Sequence, residues 1–372
     1  MTVTFMTGFE VQQITSDTNS GSSTGTASYS TAIKRTGAAS LRCNPASGVA
    51  GYASVVALNG WDNFGFYVAS LPSVARRIRG SGSFPGLWLN SGGTLYVTNT
   101  AGTTIGTSST ALSTGTWYWI GVRWDSFTGV CLQINGVDEV SGTQDGTPGS
   151  QYGCAGTEAS AIDIYFDDIV IDNAGFLAPS KVALLLPISD NGAHTGWQAG
   201  AGGATNLWDG VNNTPPAGVA SASETDTTNI EAIASTGGTY SANLTTYTTA
   251  GVNSGDTVLA VRSIIRHGED IATGTKTGTV GAATNPTITG IAITFGSDGG
   301  AHGAEVGVWS TQLGTLKTSP SVTLGTSPTL DVVRPNEARV GCIDFMGMNV
   351  AWTPAAVVAV PYYRPYPQLL AQ

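Results

Sequence analysis

The chain has 372 residues, of which 11% are charged and 41% hydrophobic, and its formal net charge is −10. A chain this acidic has no general attraction to nucleic acid or to an anionic membrane surface, so we expect neither partner. The apolar share and nine tryptophans exclude a disordered chain. No apolar run reaches the roughly 20 residues of a membrane span, and the first residues lack the features of a signal peptide.

Glycine, serine and threonine separate short apolar runs along the whole chain, and glycine alone accounts for 50 residues. Short strands joined by tight turns have this composition, so we predict an all-β fold of two β-sandwich, jelly-roll-like domains in tandem. We place the first domain at 1–175, a linker at 176–181, the second domain at 182–354, and a tail rich in proline and tyrosine at 355–372.

A small basic cluster comes early in the chain and consists of Arg76, Arg77 and Arg79. Three charges in so short a stretch predict a solvated loop, or pairing with carboxylates, in preference to a binding patch. The cysteines are widely spaced and form no Cys-x-x-Cys pair, which favours buried free thiols over a disulfide framework or a zinc site. They are Cys43, Cys131, Cys154 and Cys342.

Period-two alternation of apolar residues is clearest in residues 116–140, where it predicts an antiparallel meander. The residues on one strand face, which we expect to be buried, are Tyr118, Ile120, Val122 and Trp124. We predict a turn at 125–129, and Asn135-Gly136 predicts a type I′ hairpin. A further run rich in β-formers, 161–172, is predicted to be the last strand of the first domain.

Four segments in order resemble the concanavalin A-like, laminin G-type jelly roll over about residues 1–175. They are Gly8-Phe9-Glu10, the strand from Trp117 to Trp124, the hairpin from Leu132 to Gly136, and the strand from Phe166 to Asp172. The resemblance implies fold better than function, since members bind sugars, bind proteins or space other domains.

Relatives in this group that hydrolyse β-glucans carry Glu-x-Asp-x-x-Glu. The nearest sequence here runs from Glu224 through Asp226 to Asn229, so the final glutamate is missing and we expect no catalytic residue. The resemblance also implies a structural calcium ion between Glu10 and Asp168. The alternative is that the adjacent carboxylates of Asp167 and Asp168 accept hydrogen bonds from turn amides.

Trp117 and Trp119 lie on the strand face opposite Ile120 and Val122, next to Gly121. They are our candidates for a ligand-binding platform that stacks on sugar rings, although burial against another part of the protein is the alternative.

Three strands are predicted in the second half from runs of apolar residues, and a fourth is predicted as the hairpin partner of one of them. The first is 181–187; the second is 256–266, with Leu259, Val261 and Ile265 on one face and Arg262 and Arg266 on the other; the last is 340–352. We predict that 271–280 pairs with the second of these as a hairpin.

Residues 180–355 resemble a domain of uncharacterised virion proteins from tailed phages. The matching motifs are Gly196-Trp197, Trp208-Asp209-Gly210-Val211 followed by Pro215 and Pro216, Asp226-Thr227-Thr228, and Ile265-Arg266-His267-Gly268. In the tail, Tyr362, Tyr363 and Tyr366 alternate with prolines that hold a chain extended, which predicts a docking arm for another subunit. Folding of this tail onto its own domain is the alternative.

We therefore expect a non-enzymatic structural component of a tailed-bacteriophage virion, exposed on the particle as a head decoration or tail accessory protein. Such a protein is made in the host cytoplasm, is homo-oligomeric, contacts other virion proteins, and has no cofactor or one structural calcium ion. The alternative is a carbohydrate-binding adhesin or receptor-binding protein that uses the N-terminal jelly roll to bind a host surface glycan.

Overall fold

The structure, a computed structural model, describes residues 2–10, 23–54, 59–80, 82, 85–154, 156–192, 194, 196–199, 206–211, 230–232, 238–269, 276–295, 310–334 and 341–355. The predictions made for residues 224–229 and for the tail residues Tyr362, Tyr363 and Tyr366 lie outside this part of the chain. Within it, no helix is both long and apolar enough to cross a membrane.

The first sandwich consists of two antiparallel sheets. Its strands are β1 (Val3–Thr7), β2 (Ser23–Gly25), β3 (Ala27–Ser30), β4 (Ser40–Cys43), β5 (Gly51–Ser54), β6 (Gly60–Ser70), β7 (Arg76–Arg79), β8 (Gly86–Leu89), β9 (Thr94–Thr98), β10 (Thr104–Ala111), β11 (Trp117–Trp124), β12 (Ser126–Ile134), β13 (Val137–Asp145), β14 (Gln151–Cys154) and β15 (Asp163–Asp172). Sheet I has the order β13-β12-β11-β6-β15-β4-β3, with β1 paired to β15, and sheet II has the order β10-β9-β8-β7-β14-β5-β2. The chain crosses repeatedly from one sheet to the other, as in a jelly roll.

The second sandwich contains the remaining strands. They are β16 (Lys181–Leu185), β17 (Pro187–Asp190), β18 (Trp197–Ala199), β19 (Ile230–Ala232), β20 (Gly238–Leu244), β21 (Thr257–Glu269), β22 (Lys276–Ala283), β23 (Ile291–Phe295), β24 (Ser310–Leu313), β25 (Lys317–Thr318), β26 (Thr329–Arg334) and β27 (Gly341–Thr353), with a 3-10 helix at Leu207–Gly210. Sheet III has the order β18-β19-β27-β21-β24, with β16 on β27 and β25 on β21, and sheet IV has the order β17-β20-β26-β22-β23.

Each pair of sheets encloses its own apolar core, because alternate residues of each strand point inward. Phe64, Ile120 and Phe166 of sheet I meet Leu87 and Val97 of sheet II. The second core is built in the same way from sheets III and IV. The all-β, two-sandwich fold class is thus confirmed, while the independent folding of each domain and the exact domain limits stay predictions.

The meander is confirmed, with one correction. Asn135 (φ 51°) and Gly136 (φ 80°) both have left-handed backbone, as a type I′ turn requires, and Ile134 pairs with Val137. The predicted turn at 125–129 is wrong, because 126–129 belong to β12 and pair with the end of β13. Contacts from β13, such as the hydrogen bond between the hydroxyls of Thr128 and Thr143 (3.1 Å), keep this segment extended.

The basic cluster forms β7 and is not a solvated loop. Arg76 and Arg79 are fully buried, while Arg77 is half-buried. The alternative prediction of carboxylate pairing is confirmed for two of them, because Arg79 pairs with Asp62 (2.8 Å) and Arg76 with Glu158 (3.1 Å). A buried guanidinium requires such a partner to offset its lost hydration.

Two predictions for the second sandwich are wrong. Strand β22 pairs with β23 and β26 in sheet IV, so it does not form a hairpin with β21. Leu259 does not share the inward face of Val261 and Ile265, because an irregularity between Val258 and Ala260 shifts the strand register. A β-bulge of this kind moves a side chain to the opposite face of the sheet.

The thiols of Cys43, Cys131 and Cys154 are free and buried, as predicted. Burial raises the pKa of Cys131 to about 11 and that of Cys154 to about 12. The Cys342 side chain is outside the part of the chain that the structure describes.

The two sandwiches pack against each other through the outer faces of sheets I and III. A shared apolar cluster joins Met6, Trp119 and Leu177 to Val182 and Ala351. The predicted linker is part of this contact, since Leu177 and Ser180 are buried and the Ser180 hydroxyl lies 3.1 Å from that of Thr353. The Arg262 guanidinium of the second sandwich donates to the Met6 carbonyl of the first at 2.9 Å.

Candidate functional site

A row of side chains crosses the outer face of sheet I on four neighbouring strands. Trp117 of β11 is directly opposite Tyr67 of β6, which is opposite Tyr165 of β15, which is opposite Arg42 of β4. Residues paired in this way project from the same face, so their side chains lie side by side. We call these four residues the Trp117 row.

Three aromatic rings of the Trp117 row are in contact. The ring centroids of Trp117 and Tyr67 are 5.4 Å apart, and those of Tyr67 and Tyr165 are 5.5 Å apart and perpendicular. These separations are those of favourable aromatic pairs. Trp117 and Tyr67 are half-buried, whereas Tyr165 is 4% exposed, so the two former residues present most of the accessible aromatic surface.

The other end of the row is polar but carries no net charge. Arg42 lies over the Tyr165 ring at 5.7 Å and forms a two-pronged pair with Asp163, with distances of 3.0 and 2.8 Å. The hydrogen bond to Asp163 raises the pKa of Arg42, and burial raises the pKa of Tyr165. Both members of the ion pair remain partly exposed and can contact a ligand.

Trp119, the second predicted platform residue, is buried and cannot stack on a ligand. It is 3% exposed, and its indole nitrogen donates to the Leu177 carbonyl at 2.8 Å. The Arg35 guanidinium lies over its ring at 4.9 Å. The alternative prediction of burial therefore holds for Trp119, because the second sandwich and the predicted linker cover this part of sheet I.

The two residues proposed for calcium both contact the loop at 35–38. The Glu10 carboxylate accepts a hydrogen bond from the Ala38 amide, and Asp168 contacts Thr36 and Arg35. Asp168 has a left-handed backbone (φ 50°) at an irregularity in β15, which lets its side chain and that of its neighbour Asp167 reach the same loop.

The partners of Asp168 do not fit a calcium ligand set. They are hydrogen-bond donors: the guanidinium of Arg35 at 2.6 Å, the Thr36 hydroxyl, and the Val182 amide at 2.6 Å. Calcium requires six to eight oxygen ligands, and a guanidinium already supplies the positive charge here. Asp167 accepts the amides of Arg35 and Thr36, as the alternative prediction described. In the described residues, no three His, Cys, Asp or Glu side chains are grouped to hold a metal.

A second aromatic row, on the outer face of sheet II, was missed in the sequence. Arg77 of β7 is opposite Trp88 of β8, which is opposite Tyr96 of β9. The Trp88 and Tyr96 rings are parallel within 9° and 5.7 Å apart, and the Arg77 guanidinium lies 4.7 Å from the Trp88 ring centre. We call these three residues the Arg77 stack. Its sequence signal is a single aromatic residue between two aliphatic residues in each of two successive strands.

No protein-family model matches the chain, and no curated protein matches it. Among solved structures, the tandem CBM22-1-CBM22-2 domain of Paenibacillus barcinonensis Xyn10C is 12% identical, with 93% of this chain and 97% of that chain covered and a TM-score of 0.24. A botulinum neurotoxin type C structure, whose cell entry depends on interaction with two ganglioside molecules, is 8% identical over 87% of this chain and 92% of that one, with a TM-score of 0.31. Alginate lyase Aly36B is 13% identical over 37% of this chain and 82% of that one, with a TM-score of 0.23. Similarities this weak say nothing about the function of this chain. The function is therefore inferred from the residues described above.

Proposed function

We propose that the chain is a non-enzymatic glycan-binding protein, an adhesin or receptor-binding protein, and that the Trp117 row is its binding surface. The observation that carries this proposal is the alignment of Trp117, Tyr67, Tyr165 and Arg42 across four strands. Sugar rings have apolar C–H faces and a polar rim of hydroxyls. An aromatic surface that ends in a polar group matches both parts of such a ligand.

The length of the row suits a short stretch of oligosaccharide. Neighbouring strands are about 4.8 Å apart, so three spacings put the backbones of Trp117 and Arg42 roughly 14 Å apart. Because Asp163 already neutralises Arg42, the polar end offers hydrogen bonds to hydroxyl groups without attracting an anion. We therefore expect a neutral glycan at this row.

We propose binding without hydrolysis because the carboxylate beside the row, that of Asp163, is already engaged by Arg42. Glycoside hydrolysis requires two carboxyl groups placed on either side of the scissile bond. Both oxygens of Asp163 accept hydrogen bonds from Arg42, which fixes the carboxylate beside the row.

The role as a tailed-phage virion component stays a prediction, as do the oligomeric state, the virion partners and the location on the particle. The two roles are compatible, since an adhesin can itself be part of a particle. The mass and symmetry of the purified protein, measured by light scattering with and without residues 355–372, test the structural role. A closed oligomer that requires the tail supports it, and a monomer of either form contradicts it.

Glycan binding is tested by screening the full-length protein against immobilised neutral and acidic oligosaccharides and measuring the affinity of each hit by calorimetry. We expect Trp117→Ala and Tyr67→Ala each to weaken a neutral hit at least tenfold, which corresponds to about 1.4 kcal/mol. The matched control is Trp61→Ala, an aromatic residue on the same face of β6 that lies outside the row, next to Arg123. Absence of any glycan hit, or hits unaffected by both row variants, contradicts the proposal.

A further inference from the structure

Arg77 differs from the other arginines of the first sandwich because no carboxylate of the described residues pairs with it. Arg35, Arg42, Arg76, Arg79 and Arg123 each have an aspartate or glutamate oxygen within 4.0 Å. Within the described residues, the only hydrogen bond of the Arg77 guanidinium is to the Gly82 carbonyl at 2.7 Å, and its Nε is buried without a partner. Each of the other arginines of the first sandwich thus has a direct carboxylate partner, and Arg77 has none among the described residues.

The surroundings of Arg77 make the missing counter-charge costly. The guanidinium lies on the Trp88 ring, and desolvation by burial lowers the pKa of Arg77. The nearby carboxylate of Glu158 is paired with Arg76 at 3.1 Å, so it is not available as a direct partner. A partly dehydrated cation gains free energy when a ligand supplies a carboxylate, especially one that matches the planar fork of the guanidinium.

The position of the Arg77 stack argues against the other common anionic partners. Strands β7, β8 and β9 are interior strands of sheet II, so their backbone groups are already paired and an extended peptide cannot add to the sheet. Nucleic acid requires several cations along its backbone, whereas the stack offers one, on a chain with net charge −10. One cation that has no direct carboxylate partner and lies beside aromatic rings fits a sugar that carries a single carboxylate.

We propose that the Arg77 stack is a second binding site, for a glycan that contains a carboxylate-bearing sugar such as a uronic or sialic acid. Arg77 pairs with the sugar carboxylate, while Trp88 and Tyr96 provide the apolar wall against which the sugar lies. The exposed Thr107, opposite Tyr96 on β10, extends the same row with a hydroxyl group. This site is on the sheet opposite the Trp117 row and does not depend on whether that row binds glycans.

The site is tested by calorimetry on the full-length protein with two matched ligand pairs. The first pair is an oligogalacturonate and its fully methyl-esterified form, which keeps the sugar rings and removes the charge. The second pair is sialyllactose and lactose. We expect at least one acidic ligand to bind at least tenfold more tightly than its neutral counterpart, with an affinity that falls as salt is raised.

Three variants connect that binding to the stack. Arg77→Gln and Trp88→Ala are expected to weaken the acidic ligand at least tenfold, while Arg77→Lys, which keeps the charge but not the fork, retains an intermediate affinity. The matched control is Arg123→Gln. Arg123 also lies over aromatic rings, at 4.5 Å from Trp61 and 3.6 Å from Phe127, but it is already paired with Asp125.

The outcomes separate this site from the Trp117 row. Trp117→Ala is expected to leave the acidic ligand within twofold of its original affinity, whichever way it affects neutral glycans. The inference is overturned if neither acidic ligand binds, if esterified and free forms bind equally, or if Arg77→Gln and Arg123→Gln have the same effect. Circular dichroism and a thermal melt of each variant verify that the fold is intact before affinities are compared.

Discussion

Asp62 provides the sharpest test of what stabilises the first sandwich. Its carboxylate, 1% exposed, accepts hydrogen bonds from the Arg79 guanidinium (2.8 Å), the Trp124 indole (3.3 Å) and the Tyr152 hydroxyl. These partners come from both sheets, so one buried carboxylate connects the two layers. Asp62→Ala leaves a fully buried cation with backbone carbonyls as its remaining partners, such as that of Gly149.

The expected loss follows from burial. Removing one partner of a buried ion pair costs about 3–5 kcal/mol, because the other charge stays desolvated. For a domain of this size that loss lowers the melting temperature by about 6–20 °C. The matched control is Asp163→Ala, which also removes the aspartate of an aspartate-arginine pair, but where the side chains of Arg42 and Asp163 are 37% and 22% exposed. An exposed pair of this kind contributes only about 0.2–1 kcal/mol.

Differential scanning calorimetry of the full-length chain measures both variants under identical conditions. A double variant, Asp62→Leu with Arg79→Met, is expected to recover much of the loss, because it removes both charges and restores apolar volume. Equal destabilisation by Asp62→Ala and Asp163→Ala, or a double variant no better than Asp62→Ala, would refute the reasoning that an unpaired buried charge is the dominant cost.

Three further predictions concern the hairpin, the thiols and the covered tryptophan. Gly136→Ala is expected to lower the free energy of unfolding in urea by about 1–2 kcal/mol, because the backbone φ of 80° is unfavourable for alanine even though a Cβ there meets nothing within 4 Å. The control is Gly175→Ala, where a Cβ is equally free of contacts and φ is not positive, so we expect the free energy of unfolding to stay the same. At pH 8 the buried thiols should resist alkylation until the chain unfolds, as mass spectrometry of Cys43, Cys131 and Cys154 can show, since burial raises the pKa of each well above that pH. Trp119→Ala should cost about 3–5 kcal/mol of stability and leave glycan affinity unchanged, the reverse of Trp117→Ala.

Local patterns in the sequence predicted the parts of the first sandwich that depend on neighbouring residues. The alternation of apolar and other residues predicted that Ile120 and Val122 lie in the core, because it depends only on strand geometry. Asn135-Gly136 predicted the hairpin, because it depends only on the backbone preferences of a turn. The wrong turn at 125–129 shows the limit of this reasoning. A segment rich in polar residues stays extended when its partner strand lies beside it.

Long-range pairing was not available from sequence. Three arginines within four residues predict a surface loop, yet Arg79 is buried because Asp62, 17 residues away, faces it from the other sheet. Trp117 and Trp119 are two residues apart on one strand face, and only the placement of the second sandwich decides that one is accessible and the other buried. No periodicity within a strand contains that information.

Charge compensation is what separates the two candidate surfaces of the first sandwich. Both combine an arginine with aromatic rings on the outer face of a sheet, but Arg42 is paired with Asp163, whereas Arg77 pairs with no carboxylate in the part of the chain that the structure describes. A surface whose arginine is already paired with a carboxylate can select a ligand only by shape and hydroxyl contacts. A surface whose arginine lacks such a partner gains most binding free energy from an anionic ligand. Because the two sheets are packed back to back, a short glycan cannot contact both rows at once. Two different glycan chains can bind at the same time, one at each row. One sandwich would then connect a neutral and an acidic polymer and gain avidity on a surface that carries both.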